Sequence, residues 1–463
     1  MMEAVKRYNW KYIISWCFTL GLPLCILLLP GGAVLTTQIK LFLAITLLAI
    51  LVFAFENMNQ TTMAILLPVL YIVFQIAPAN IALSSWTANV PWMYVGGLIL
   101  AAVLERVGLL KRIAYKCIIL MGASYNGILY GLAIAGTLLN IIIPAQAVIP
   151  MAALSYGICA ALGIGKGKEA AGIMLTAALG AILPTLFLFS GNYVMIMTTG
   201  TEITGPLSMG WIEFFMKNGV SILFMFLTVF AYTKMFKPTV PISGKAYFQE
   251  AYDQLGPMGR DEKKSLGVCL VLFLLLLTIK YHGIQPGWIF VFVPILLFVP
   301  GINVGHADDI KNLNFGFIIF VASCMGIGAV AGSLGIGQIV SAMAMPILVG
   351  KSVNFVLMFV WLLCVLLNFL LTPLAIIATF TVPLAQISLD LGINPHAMYL
   401  VMLHALDQLV MPYEIALYLI YFSFGLVYLK DFAKAMFVKL LINGVFIFVI
   451  LIPFWRIIGF LNL

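Results

Sequence analysis

The apolar stretch Leu138-Leu139-Asn140-Ile141-Ile142-Ile143-Pro144 has a close counterpart in Leu366-Leu367-Asn368-Phe369-Leu370-Leu371-Thr372-Pro373. Each lies inside a long apolar run, at 127–161 and 354–386, that contains further prolines. A single helix of about 35 residues would be much longer than the ~30 Å hydrocarbon core of a bilayer. We therefore expect each run to fold back as a re-entrant hairpin whose chain reversal lies near the Asn and Pro residues.

The same order of parts surrounds both runs. A helix-ending segment precedes each of them, Glu105–Leu110 in the first case and Gly332–Gly337 in the second. Five predicted crossings, an odd number, separate the two halves, so we expect them to lie in the membrane with opposite orientations. Inverted repeats with interrupted helices are typical of secondary transporters that bind their substrate near the bilayer midplane. Ordinary helix kinks at the Asn and Pro residues are the alternative interpretation.

The composition excludes a soluble globular enzyme. The chain has 463 residues, of which 63% are hydrophobic and 9% are charged, with a mean hydropathy of +1.14. These values predict an all-α polytopic membrane protein. The net charge of +8 comes mostly from residues that flank apolar runs, so it gives no reason to expect a nucleic-acid partner. The seven cysteines lack metal-ligand spacing, and no metal site is predicted.

The apolar runs predict eleven crossings plus the two hairpins. With a cytoplasmic N-terminus, the inside segments carry nineteen Lys and Arg residues, Lys439 among them, and the outside segments carry five. This bias agrees with the positive-inside rule. We expect a multi-pass protein of the plasma or inner cell membrane in four parts: an N-terminal helix (1–39), a first repeat (40–233), a cytoplasmic loop (234–264) and a second repeat (265–463).

Acidic side chains single out the tenth predicted crossing, at 398–425. Asp407 lies near its middle, His404 lies one turn earlier, and Glu414 follows the Met411-Pro412 break. A carboxylate inside the membrane is costly and is by default a candidate functional group. We expect His404, Asp407 and Glu414 to carry the coupling ion or proton. The alternative is a structural His404–Asp407 pair that holds the broken helix.

The polar residues at the predicted breaks are candidate substrate ligands. No Lys or Arg is predicted at mid-depth, so an anion would depend on polar side chains and on the positive ends of half-helices. Two nearby acids do not suit an anion unless one of them is protonated or neutralised by a cation. The candidate ligands are Asn140, Gln146, Asn192, Asn368, Thr372 and Pro373.

Three segments resemble the divalent anion/sodium symporter family, which includes the dicarboxylate and citrate carriers. They are Val95–Ala114, Gly392–Pro395 and Tyr428–Phe432. The resemblance implies eleven-helix homodimers in which the hairpins and broken helices move as a transport domain against a scaffold. The chain lacks the family's Ser-Asn-Thr tip signatures, so the coupling ion, Na⁺ or H⁺, is left open.

The resemblance and the breaks together predict a secondary transporter of a small organic anion, such as a di- or tricarboxylate, that works by an elevator movement. We expect no enzymatic activity and no cofactor other than the coupling ion. Its expected partners are the substrate, the lipid bilayer and a second copy of the chain. Two alternatives stay open: the same fold carrying a neutral, zwitterionic or cationic solute, and a membrane binding protein that does not transport.

Overall fold

The protein is described by a computed structural model that covers residues 10–32, 35–55, 57–143, 146–205, 207, 209–239, 241–369 and 371–461. Within these ranges the chain is helical and contains no β-strand. The predicted class, an all-α polytopic membrane protein, is confirmed. The N-terminal charges Lys6 and Arg7, and the hairpin residue Pro144, lie outside the described residues.

Twelve helices form the first half of the described chain. They are α1 (Trp10–Leu28), α2 (Thr37–Phe55), α3 (Gln60–Val73), α4 (Ala79–Ala82), α5 (Asn89–Arg106), α6 (Leu109–Leu120), α7 (Tyr125–Ile142), α8 (Val148–Ala161), α9 (Lys168–Ile182), α10 (Gly191–Thr204), α11 (Trp211–Asn218) and α12 (Ile222–Met235).

Thirteen helices follow in the second half. They are α13 (Lys245–Gln254), α14 (Arg260–Leu277), α15 (Ile279–His282), α16 (Pro286–Ile295), α17 (Ala307–Lys311), α18 (Phe315–Ser333), α19 (Ile336–Leu348), α20 (Val353–Leu367), α21 (Pro373–Asp390), α22 (Pro395–Leu406), α23 (Ala416–Ser423), α24 (Leu429–Phe446) and α25 (Ile452–Ile457), the last two joined by a short π-helical segment.

Six segments of the described chain are long and apolar enough to cross a membrane. They are Tyr125–Ile142, Lys168–Thr201, Trp211–Met235, Phe315–Ser333, Pro373–Asp390 and Leu429–Ile457. Helices α5 and α6, bent by 71° relative to each other, make a seventh when they are counted together. Seven further apolar helices have 10–17 residues. The count of eleven crossings stays a prediction, because length and composition separate only these six or seven from the shorter helices.

Both predicted hairpin runs are interrupted close to the Asn and Pro residues at which the sequence predicts a chain reversal. Helix α7 ends at Ile142 and α8 begins at Val148, while α20 ends at Leu367 and α21 begins at Pro373. We call α7 and α8 the first hairpin, and α20 and α21 the second hairpin. That the two are re-entrant stays a prediction.

A left-handed glycine stands at the same place in each half. Gly108 (φ +87°) joins α5 to α6, and Gly335 (φ +69°) joins α18 to α19. A side chain disfavours this backbone conformation, so glycine lets a long helix turn abruptly into a shorter one. The segments Glu105–Leu110 and Gly332–Gly337, aligned from their sequence alone, therefore have the same backbone role.

The hairpins pack against two interrupted helices. In the first half, α7 and α8 both pack on α9, and in the second, α20 and α21 both pack on α22. Contacts also cross between the halves, because α21 packs on α10 and α8 packs on α23. The two hairpins and the two interrupted helices α9–α10 and α22–α23 therefore form one continuous body.

Two arginines, one at the end of α5 and one in the first turn of α6, are tied to the later helices α17 and α14. Arg106 donates to both carboxylate oxygens of Asp309, at 3.0 and 2.9 Å. Arg112 donates to both oxygens of Glu262, at 2.8 and 2.9 Å, and its remaining donors reach the carbonyls of residues 255 and 256. Paired guanidinium–carboxylate contacts of this kind fix orientation as well as distance.

Candidate functional site

An asparagine of the first hairpin binds the end of α9, where the first interrupted helix breaks. Asn140 lies at the end of α7, and its amide nitrogen donates to the carbonyls of Gly136 (2.9 Å), Gly180 (3.4 Å) and Ala181 (2.9 Å). A Cβ atom on Gly136 would lie 2.3 Å from the Gly180 carbonyl carbon, so α7 and α9 touch backbone to backbone. Because α9 ends one residue after Ala181, this contact satisfies carbonyls that lack helical partners.

The second interrupted helix has a matching arrangement. Asn368 follows the last residue of α20, and its amide nitrogen donates to the carbonyls of Ala405 and Gln408, both at 2.9 Å. These carbonyls flank the end of α22 at Leu406. Its own Oδ1 is buried and has no hydrogen-bond partner. The predicted ligands Asn140 and Asn368 thus use their N–H groups to hold the ends of broken helices.

We call residues 183–190, between α9 and α10, the first break. A short 3₁₀ turn, Leu183–Leu186, opens it, and Ser190 ends it as the N-cap of α10 without a capping hydrogen bond from its side chain. Ser190 is 1% exposed, and its hydroxyl group has no hydrogen-bond partner. The start of α10 therefore combines free backbone donors with an unused hydroxyl group.

Two predicted ligands meet the same face of α5. The Tyr94 hydroxyl donates to Asn192 Oδ1 at 2.9 Å, which links α5 to the first turn of α10. One turn further along α5, a Cβ atom on Gly97 would lie 3.5 Å from Gln146 Cγ at the tip of the first hairpin. Gln146 and Asn192 therefore both lie beside α5.

At the second hairpin tip, the predicted ligands begin a helix. Thr372 is the N-cap of α21, and its Oγ1 accepts from the backbone N–H of Ala375 at 3.4 Å. Pro373 is the first helical residue, a position that proline favours because its missing N–H has no helical partner there. Both residues are partly exposed. Their arrangement leaves the positive end of α21 at the tip.

We call residues 407–415, between α22 and α23, the second break. It contains a buried ion pair that the sequence interpretation missed. Lys439 Nζ, on α24, lies 2.7 Å from Asp407 Oδ2, with the lysine side chain 0% exposed. The same ammonium donates to the Asp407 carbonyl and to the Tyr418 hydroxyl at 3.1 Å. The expectation that no Lys or Arg lies at mid-depth is therefore wrong.

The charge count places Lys439 in the inside set together with Lys430 and Lys434, which precede it closely. Helix α24 begins at Leu429, so Lys439 lies about 15 Å along it at 1.5 Å per residue. Its neighbours Phe437, Val438 and Leu440 are apolar, which is the one sequence signal that could have placed it within the helix. A buried charge in such surroundings requires a partner.

The other acid of the second break is occupied by backbone donors. Glu414 Oε1 accepts from the N–H groups of Met411 at 2.7 Å and Val410 at 3.2 Å. The residue is 4% exposed. Glu414 therefore shapes the unwound chain around Pro412, and its carboxylate is engaged within the break.

His404 does not pair with Asp407, so the structural alternative that joined them is wrong. Its Nδ1 lies 3.1 Å from Asn443 Nδ2, and its Nε2 lies 3.2 Å from Ser221 Oγ. The Trp361 indole donates to Asn443 Oδ1 at 2.9 Å. Since an indole nitrogen can only donate, Asn443 must present its NH₂ group to His404. His404 Nδ1 then accepts, which assigns a neutral ring with its proton on Nε2.

The three predicted coupling residues thus have separate environments. Asp407 is neutralised by Lys439, Glu414 caps the second break, and His404 lies in a neutral hydrogen-bond chain from α20 to the segment before α12. Among the described residues, no cluster of His, Cys, Asp and Glu side chains could hold a metal ion.

Comparison with known proteins agrees with this architecture. A curated membrane protein from Cupriavidus necator is 24% identical over 309 residues, covering 61% of this chain and 59% of that protein, so the chain spans about three fifths of that relative. The solved structure of Neisseria gonorrhoeae MtrF, described as illuminating a class of antimetabolite efflux pumps, has a TM-score of 0.52 at 14% identity and covers 96% of this chain and 93% of that one. At this identity the likeness shows the fold alone.

The sequence model of one family, the sodium:sulfate symporter transmembrane region, matches residues 8–461. The match takes in both hairpins, both breaks and the segments that resemble the divalent anion/sodium symporters. The chain is therefore a multi-pass integral membrane protein of a transporter family, and it belongs to the sodium:sulfate symporter family, as the resemblance predicted.

Proposed function

We propose that the protein is a secondary active transporter of a small organic anion, such as a di- or tricarboxylate, bound between the hairpin tips and the two breaks. The start of α10 carries this proposal. It offers uncapped backbone N–H groups, the unpaired Ser190 hydroxyl and, two residues later in the same turn, Asn192. Half-helix N-termini of this kind favour carboxylates.

The charges of the second break support an anion over a cation. Asp407 is already paired with Lys439, and Glu414 accepts from backbone N–H groups. Neither carboxylate is therefore free to attract a cationic solute, which is one of the competing cargoes beside neutral and zwitterionic solutes. The positive end of α21 behind Thr372 is a second position that favours negative charge.

Transport coupled to sodium is the mode that family membership supports. The competing mode uses protons carried by Asp407. In proteoliposomes, sodium coupling predicts uptake of labelled succinate or citrate that needs an inward sodium gradient and persists without a pH gradient. Uptake that follows the pH gradient alone would identify protons instead. Absence of uptake and of competition for every di- and tricarboxylate would overturn the proposed cargo.

Substitutions at the proposed site sharpen this assay. Gln146→Ala and Asn192→Ala should each lower uptake by about tenfold or more, since a lost hydrogen bond to a charged group costs about 1.5–3 kcal/mol. Gln386→Ala is the matched control, because Gln386 lies on α21 but donates to Asp390 at the surface. Equal losses in all three variants would argue against the site.

An elevator movement is proposed for the body formed by the hairpins and the interrupted helices. It would slide against α5, which touches that body through Gly97 and Tyr94. Cysteines at positions 97 and 146 are a test pair for a disulfide, which needs Cβ atoms about 3.5–4.5 Å apart, because a Cβ atom at position 97 would lie 3.5 Å from Gln146 Cγ. The oxidised Gly97→Cys/Gln146→Cys protein should lose transport and regain it on reduction, whereas each single variant should be insensitive to oxidant. Full transport in the cross-linked protein would contradict the movement.

The proposal also includes a plasma or inner cell membrane location, a cytoplasmic N-terminus and a homodimer. These rest on the lysine and arginine bias and on the family resemblance. Labelling of single cysteines from each side of intact cells, and the mass of the purified protein in a defined lipid nanodisc, test the orientation and the dimer.

A further inference from the structure

The Lys439 ammonium lies in a setting that resembles a metal-ion site more than a surface ion pair. Its three contacts are the Asp407 carbonyl oxygen, Asp407 Oδ2 at 2.7 Å and the Tyr418 hydroxyl at 3.1 Å. All three contact atoms are oxygens, and the three N–H donors of the ammonium are used. Both Lys439 and Tyr418 are completely buried.

Unwound backbone at a broken helix is where membrane transporters bind monovalent cations. The free carbonyls and the negative end of the half-helix supply oxygen ligands that an intact helix would use internally. The second break offers a carbonyl, a carboxylate and a phenol oxygen around one point, at the negative end of α22. In this chain the point is filled by the ammonium of Lys439.

The first break lacks this arrangement. Ala181 and Ala405 are both held by a hairpin asparagine, so the residue two positions later, Leu183, corresponds to Asp407. Leu183 is a buried apolar residue and needs no counter-charge. The ammonium is therefore specific to the second break. The contact from a hairpin asparagine to the carbonyls at a helix end, which we call the latch, does not by itself require it.

We propose that Lys439 is a tethered cation that fills a latent monovalent-cation site in the second break, so that this break takes no sodium ion while Lys439 is present. Removal of the side chain vacates the point and leaves the three oxygens to bind sodium. The proposal concerns ion binding to the folded protein; only its consequence, fewer sodium ions per transport cycle, rests on the proposed function.

The test measures melting temperatures in detergent, in sodium chloride against choline chloride at equal ionic strength. Lys439→Ala opens the point, and Lys439→Ser is a second variant with the same expected behaviour. The matched control is the double variant Lys439→Ala/Asp407→Asn, which has the space without the charge. Any sodium site elsewhere in the chain contributes equally to all of these proteins.

Sodium should raise the melting temperature of Lys439→Ala and Lys439→Ser by about 2 °C or more beyond its effect on the wild type, since a ligand that binds only the folded state stabilises it. The double variant should respond like the wild type. Equal sodium effects in the wild type and both single variants would overturn the proposal. So would failure of both to fold in sodium while the double variant folds, because sodium is then no substitute for the ammonium.

This result is independent of transport. Sodium could raise the melting temperature of Lys439→Ala more than that of the wild type while no organic anion is taken up. This outcome would support the tethered cation and reject the proposed cargo. Sodium-dependent succinate uptake by the wild type, without any extra sodium effect on the melting temperatures of the variants, would support the proposed cargo and reject the tethered cation.

Discussion

The first and second breaks are each tied to a hairpin asparagine, yet the side chains that fill them differ in kind. Asn140 and Asn368 reach across to carbonyls at the ends of α9 and α22 in nearly the same way. Between the tie and the next half-helix, the first break is apolar at Leu183, whereas the second contains the Asp407–Lys439 pair. The comparison indicates that the latch fixes where each half-helix ends. The chemistry of each break depends on other side chains, Leu183 in the first and the Asp407–Lys439 pair in the second.

The largest expected effect comes from breaking the charge pair of the second break. Asp407→Asn leaves a buried ammonium without its carboxylate and should cost about 3–5 kcal/mol of stability. Asp407→Asn/Lys439→Met removes both charges and should recover a large part of that loss. Thermal unfolding in detergent measures both, with the exposed Asp390→Asn as control. A double variant as unstable as the single one would mean that the pair is not the stabilising unit.

The latches test whether the two halves are held alike. Asn140→Ala and Asn368→Ala should each cost about 1–3 kcal/mol, because buried carbonyls at a helix end lose their donors. Asn354→Ala is the matched control, since Asn354 lies on α20 and accepts from Arg456 at the surface. Unfolding midpoints give the comparison. A loss in only one of the two variants would show that the halves are not held in the same way.

Acid should weaken the Arg112–Glu262 pair, which ties α6 to the first turn of α14. The hydrogen bonds from the Arg112 guanidinium hold the pKa of Glu262 below its ordinary value. Its stabilisation is therefore fully present above that ordinary value and is lost as the pH falls through the lowered one. Glu262→Gln should cost about 1–2 kcal/mol at neutral pH.

The corresponding measurement is the unfolding midpoint from pH 7 down to about pH 2.5, because the loss falls below the ordinary glutamate pKa of about 4.3. Glu262→Gln should be less sensitive to acid than the wild type, because the titrating group has been removed. The segment Gly332–Gly337 contains no charge, so no equivalent change is expected there. An acid sensitivity of Glu262→Gln equal to that of the wild type would exclude Glu262 as its source.

The smallest expected effect concerns the hairpin tips. Thr372 caps α21 through its side chain, whereas Ala147 at the start of α8 makes no such bond. Thr372→Ala makes the second tip resemble the first and should cost about 0.5–1 kcal/mol. Ser190→Ala, at an N-cap without a capping bond, should be near neutral. Thermal unfolding of the two proteins side by side tests this, and equal losses would argue against the cap.

The sequence predicted the interruptions because Asn and Pro within apolar runs have local consequences. It placed the ends of α7 and α20 within a few residues, and it singled out Asp407 from the cost of a buried acid. It could not assign the partners of Asn140 and Asn368, because these carbonyls lie about 40 residues away along the chain. Lys439 was missed because the charge count groups residues by predicted loop. It does not show that α24 begins at Leu429 and that Lys439 lies within this helix.

Helix α13 is fastened at its start to the corner between α6 and α7, and at its end to Arg112 in the first turn of α6. Just before it, the Gly244 amide donates to the Ala123 carbonyl at 2.9 Å, and just after it, the Leu255 and Gly256 carbonyls accept from Arg112. The side chain of Phe248, in the middle of α13, is buried, while the side chains of Lys245 and Glu250 are exposed. A transporter enclosed in a micelle offers few landmarks for electron cryomicroscopy. An antibody fragment raised against the outer face of α13 would be held rigidly enough to serve as one.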